Sequence, residues 1–164
     1  MSSAASESRT QFLSFILSGE VYAVDILRVK EIIEYDSLTR VPAMPAAVRG
    51  VINLRGRVVP VLDLAARFGI PESPITSRTC IVMMEVGVDD AATVVGIIAD
   101  SVCEVLDLGP DQVQPPPTFG TPVGAEFLDG LAEASTRKFT MLLNVDRALN
   151  AALFSPGQVA EPAA

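Results

Sequence analysis

The hydrophobic residues of this chain come in short runs, each closed by glycine, proline or a polar residue, and that punctuation limits the fold more than any other feature. Runs over 12–17, 21–24, 51–54, 57–62, 79–86, 93–98, 102–106, 127–131 and 138–143 have the length and composition of strands. Ser18-Gly19-Glu20, Arg55-Gly56 and residues 87–90 supply turns between them, with glycine free to take positive φ. About nine or ten short strands at regular intervals predict a mainly β protein, built as barrels or a sandwich. The longest uncharged apolar run, 91–99, falls well short of the roughly 20 residues a membrane-spanning helix needs.

Helices are few. Asp63 fits the cap of a short helix ending near Gly69. Pro45 at the start of 46–49 predicts a brief helical turn. Asn144 caps a last helix whose Val145, Ala148, Leu149, Ala152 and Leu153 make a core-facing stripe. Residues 25–35 read two ways. Asp25 with Ile26, Val29 and Ile33 has helical spacing, while Val29, Glu31, Ile33 and Tyr35 alternate as in a strand; a helical turn followed by a strand satisfies both. Residues 109–124 carry five prolines and three glycines and predict a long surface loop. The organisation expected is a flexible tail over 1–10, one domain over 11–153 and a second tail over 154–164.

Composition removes several functions. The 164 residues suffice for one domain or two small subdomains sharing a core. A net charge of −8 repels nucleic acid and anionic lipid. The chain has no histidine, so the commonest general base and metal ligand are missing. Cys80 and Cys103 each lie in an apolar run and read as small buried hydrophobes, reduced in a cytoplasmic setting. The polar start of the chain does not resemble a signal peptide. No phosphate loop, dinucleotide fingerprint, nucleophile elbow or zinc spacing is present. Asp89-Asp90 reads as turn chemistry, and Asp100 and Asp107 sit at strand ends. The expectation is a protein without catalysis, cofactor or metal.

Asn53-Leu54-Arg55-Gly56-Arg57 joins two hydrophobic strands in an acidic chain. Arg55 and Arg57 are either exposed turn residues or part of a built contact. Arginine carries a fixed fork of donors suited to a carboxylate, and Glu31 on the alternating segment 29–35 is a candidate partner.

Residues 12–17, "YAVDILRVKEI" (22–32) and "VRGVINLRGRVVPVLDLAARF" (48–68) resemble the CheW family of bacterial chemotaxis coupling proteins. The resemblance continues through "VVGIIADSVCEVLDL" (94–108), the proline-rich "VQPPPTFG" (113–120) and "FTMLLNVDRAL" (139–149), in family order and spacing. It implies two packed five-stranded SH3-like β-barrels. It implies an adaptor, not an enzyme, that couples the cytoplasmic tip of transmembrane chemoreceptors to the regulatory domain of the histidine kinase CheA. A coupling role in a non-flagellar chemosensory pathway, such as surface motility or second-messenger control, is the alternative. The resemblance further implies a protein monomeric when free, cytoplasmic, and recruited to receptor clusters without entering the membrane.

By the same resemblance the conserved arginine falls on Arg55 and its acidic partner on Glu31. Receptor-docking positions fall on Ile26, Val29, Gly50, Val95, Gly96, Val102 and Val105, mostly apolar as a groove for an amphipathic helix should be. A kinase or ring contact falls on Phe119 and on Gln114, where some relatives carry a basic residue. Arg57 stands where an apolar residue is common.

Overall fold

The computed structural model describes residues 9–36, 38–40, 42, 47–71, 73–88, 91–116, 125–133 and 139–154. In chain order these form β1 (Thr10–Leu17), β2 (Glu20–Asp25), a 3-10 turn (Ile26–Arg28), β3 (Val29–Glu34), β4 (Val48–Leu54) and β5 (Arg57–Leu62). Helix α1 (Leu64–Phe68), β6 (Cys80–Val88), β7 (Ala91–Ala99) and β8 (Ser101–Leu108) follow. The last part holds a 3-10 turn (Pro110–Gln112), β9 (Val113–Gln114), a 3-10 turn (Ala125–Phe127), β10 (Leu128–Ala132), β11 (Thr140–Leu143) and α2 (Val145–Phe154).

The strands pair into two sheets, β8-β1-β2-β11-β10-β9 and β3-β6-β7-β5-β4. Each sheet curls, bringing its two ends towards one another. The ends of the first, β8 and β9, are joined by only Gly109 to Gln112, which cannot reach across a flat sheet of that width. In the second, the chain leaving β3 returns to the far end strand: Thr39 and Val51 exchange backbone hydrogen bonds of 3.0 and 2.8 Å. The first is barrel 1 and the second barrel 2. Barrel 1 has a sixth strand only because the two-residue β9 pairs with β10.

Strand alternation sorts the apolar side chains into three cores. Leu142 and Ala23 fill barrel 1 with Leu108 and Ala132. Val61, Ile81, Met83 and Ile98 fill barrel 2. The other faces of the same strands meet between the barrels: Phe15, Tyr22 and Leu143 from one, Val82, Met84, Val95 and Ile97 from the other, with Ala148 and Leu149 of α2. Two-faced burial explains why these strands read as near-continuous apolar runs. The chain crosses between the sheets at the 3-10 turn after β2 and at Asp100.

Local signals did what they predicted. Asp63 Oδ1 accepts from the Ala65 amide at 3.0 Å, and Gly69, at φ 72°, ends α1. Asn144 Oδ1 accepts from the Arg147 amide at 2.9 Å and caps α2. Residues 25–35 are a 3-10 turn followed by a strand.

Other expectations are corrected. Val48 and Arg49 belong to β4 and not to a helical turn, because the Asp63 amide bonds the Ala47 carbonyl at 2.8 Å and starts the ladder there. Residues 9 and 10 are no tail: Thr10 opens β1, and Arg9 donates to Asp107 and Gln112. At the other end α2 runs on through Phe154. β6 runs on through Gly87 and Val88, while Asp89 and Asp90 lie outside the described residues. The stretch from Gly109 is built as a 3-10 turn and β9 before it leaves the described residues at 117. Cys80 is buried as expected, and burial raises its thiol pKa. Cys103 is exposed. Leu13 faces Val105 and Phe15 faces Val102, so Ser14 opposes both Cys103 and Glu104. This β-bulge is held by the Ser14 hydroxyl, which donates to the Glu104 carbonyl at 2.7 Å and accepts from its amide at 3.1 Å.

Candidate docking site

The hairpin between β4 and β5 turns on Arg55 and Gly56, at φ 54° and 83°. Positive φ at both central residues is the two-residue turn that suits the twist of paired strands. The Asn53 side-chain oxygen accepts the Gly56 amide at 2.8 Å and holds it. Glycine at the first position would be free of strain, whereas arginine is not. The strained residue is the one that makes the contact.

Glu31 reaches it from the opposite end of the sheet. Val29 pairs with Met84 and Glu31 with Met83, so Lys30 is an extra, bulged residue in β3. The bulge shifts the alternation by one. Val29 therefore packs on the core between the barrels, whereas Ile33, in phase with Glu31, packs inside barrel 2. Arg55 donates from Nη1 to Glu31 Oε1 at 2.9 Å and from Nη2 to Oε2 at 3.2 Å. These hydrogen bonds, and then the carboxylate's charge, raise the Arg55 pKa further above its ordinary value. Because β3 and β4 are the end strands of their sheet, the pair clamps the rim where barrel 2 closes. It stays open to solvent, Arg55 being 71% and Glu31 30% exposed at the side chain. Such a pair adds little to stability but fixes two long side chains in one geometry.

Beside it opens a cleft of about 470 Å³, lined among others by Lys30, Glu31, Arg55, Arg57, Val58 and Val94. Arg57 stands on its exposed rim. Val58, 75% exposed, presents an apolar surface there.

The positions singled out in the sequence fall into separate groups. Ile26, Val29 and Val102 are each half-buried against the inter-barrel core, and Val95 is fully buried within it. Val105 is 49% exposed on the edge strand β8. Gly50 and Gly96 present no side chain to a partner; they permit close packing. A Cβ on Gly50 would lie 2.8 Å from the Thr39 carbonyl oxygen, and one on Gly96 2.6 Å from Ile81. Gln114 is exposed on β9, and Phe119 lies outside the described residues. Sequence reasoning missed Gly130, where a Cβ would meet the Gln114 carbonyl oxygen at 2.7 Å, and Asp146, which binds two other elements. Among the described residues no group of histidine, cysteine, aspartate or glutamate is placed to hold a metal. No helix among them is long and apolar enough to cross a membrane.

Two packed β-barrels that share a core, with a built polar contact on an exposed rim, define a protein of paired SH3-like barrels that presents surfaces. The chain belongs to the CheW-like domain family, whose model matches residues 11–153. It is 38% identical over 136 residues to the chemotaxis protein CheW of Klebsiella aerogenes, covering 83% of this chain and 78% of the relative. It is 32% identical over 143 residues to the protein FrzA of Myxococcus xanthus, covering 87% and 86%. The crystal structure of the scaffolding protein TtCheW from Thermoanaerobacter tengcongensis superposes with a TM-score of 0.76 at 30% identity, covering 85% of this chain and 86% of that one.

Proposed function

We propose that this protein is a non-catalytic scaffold of chemotaxis signalling that couples the cytoplasmic tip of chemoreceptors to the regulatory domain of the kinase CheA. The observation that carries the reading is the two-point Arg55–Glu31 contact, built on a left-handed arginine and left open to solvent at the barrel rim. A contact that strains the backbone and contributes little to stability is best explained by a surface that must keep its shape. Family membership, the chemotaxis role named for the Klebsiella aerogenes relative and the scaffolding role named for TtCheW support the same reading. The half-buried apolar side chains of Ile26 and Val29, on either side of the crossing, have the character of a surface for an amphipathic helical tip. Gln114, on an edge strand at the far end of barrel 1, with Phe119 beyond it, supplies the second contact, to the kinase domain in a ring.

The test replaces Arg55 with glycine, which removes the fork and relieves the turn. The folded variant keeps or raises its unfolding midpoint, while its affinity for a soluble receptor tip falls. Wild-type protein that binds neither the receptor tip nor the kinase regulatory domain overturns the reading. Unchanged affinity in the variant removes the pair from it.

A further inference from the structure

The 3-10 turn Ile26–Arg28 carries the chain from barrel 1 to barrel 2, and it contains no buried residue. Leu27 is 82% exposed. Its cap is local: Asp25 Oδ1 accepts the Leu27 amide at 2.9 Å. Ile26 packs against the inter-barrel core, and the polar tie of the crossing is Arg28, whose guanidinium pairs with Asp146 Oδ1 on the first turn of α2. The same oxygen accepts the Gly87 amide, at the far end of β6, at 3.1 Å.

One carboxylate oxygen therefore holds three elements. Its own position is well fixed. Asn144, just before α2, caps the helix and donates from its side chain to Asp129 on β10 at 2.8 Å. Ala148 and Leu149, one turn on, are buried in the inter-barrel core. An aspartate in the first turn is also favoured by the helix dipole. Arg28 and Asp146 are 28% and 49% exposed, so their pair contributes modestly to stability. Its effect is on geometry. Ile26 and Val29 flank Arg28, and both pack against the inter-barrel core.

We propose that Asp146 is a positioning residue: through Arg28 and the Gly87 amide it latches the crossing between the barrels and so sets the wall formed by Ile26 and Val29. The inference rests on the coupling function proposed above, in which that wall receives the receptor tip. Losing the latch frees a solvent-exposed turn to move, and a groove whose wall moves must be re-ordered on binding.

The experiment uses the full chain with Arg28→Ala, Asp146→Ala, Asp146→Asn and the exchange Arg28→Asp with Asp146→Arg. Three quantities are read: the dissociation constant for a soluble receptor-tip helical hairpin, that for a kinase regulatory domain, and backbone amide exchange over residues 27–30. Asp146→Ala and Arg28→Ala are expected to weaken the receptor tip about three- to tenfold and to speed exchange at 27–30. Kinase-domain binding stays within about twofold, since its contact lies on β9. Asp146→Asn keeps an acceptor and falls between wild type and alanine. The exchanged pair recovers part of the loss of either single change. Wild-type affinity and exchange in both alanine variants overturn the proposal. Equal loss of both partners with a falling unfolding midpoint also overturns it, in favour of a purely structural role. Wild-type protein that does not bind the receptor tip defeats the coupling reading instead, and amide exchange still decides the latch.

Discussion

Tyr22 places a phenol in the core between the barrels, fully buried and stacked on Phe15 with ring centroids 6.2 Å apart. Its hydroxyl has no hydrogen-bond partner among the described residues. A buried donor without a partner costs more than it returns. Burial, with a smaller contribution from Glu20, pushes its pKa up to about 12. The fold thus holds the neutral phenol, and the unfolded chain ionises near pH 10. The stability tied to that neutrality is complete below pH 10 and lost as pH climbs towards 12. Replacing Tyr22 with phenylalanine keeps the ring and removes the orphan group. Urea unfolding at pH 8 should find the variant equal to wild type or about 1 kcal/mol more stable. Between pH 10 and 12 the variant's curve should be flatter. A variant clearly less stable at pH 8 would mean that the hydroxyl is satisfied after all.

At the scale of elements, β9 is the most conditional piece of the fold. It has two residues, and it stays paired because Gly130 lets it approach β10. A Cβ there would sit 2.7 Å from both the Gln114 carbonyl oxygen and Val113 Cγ1, so alanine must push the strand away. Gly130→Ala should cost about 1–2 kcal/mol and speed amide exchange at Val113 and Gln114. It should weaken the kinase-domain contact while sparing the receptor tip, the opposite pattern to Asp146→Ala. Nothing in the sequence marks this strand, because pairing with β10 creates it and no periodicity of its own does. Elements written in local chemistry were legible: the turn at Ser18-Gly19, the Asp63 and Asn144 caps, the turn after Asp25. The bulges were not. At Cys103 the phase of alternation slips because Ser14 across the ladder faces two residues, and a strand read alone cannot reveal its partner's count. The Arg55–Glu31 pair was legible as chemistry, since a donor fork and a carboxylate suit each other. The left-handed arginine and the bulge that aims Glu31 were not.

The whole molecule is one unit because its largest core belongs to neither barrel. Met84 of barrel 2 and Leu143 of barrel 1 are both buried in that shared cluster, beside Leu149 of α2. Each barrel turns one face of its strands inward and the other towards this common interior, so neither can lose its packing without exposing the other's. Within each barrel a parallel pairing also joins strands distant in the chain, β11 on β2 and β5 on β7. Unfolding should therefore be a single cooperative transition, with calorimetric and van't Hoff enthalpies equal. Met84→Ala and Leu143→Ala remove buried volume from opposite sides of the cluster, and each should destabilise by about 2–5 kcal/mol. If the core is shared, both lower the same midpoint, and in a Tyr35→Phe background, where Tyr22 is the one tyrosine left, its fluorescence in barrel 1 reports the Met84 lesion in barrel 2 at the same denaturant concentration as circular dichroism does. If Met84→Ala instead splits the transition, with Tyr22 melting at the wild-type midpoint, the barrels are independent domains. The latch at Asp146 would then be a hinge between two bodies and not a brace within one.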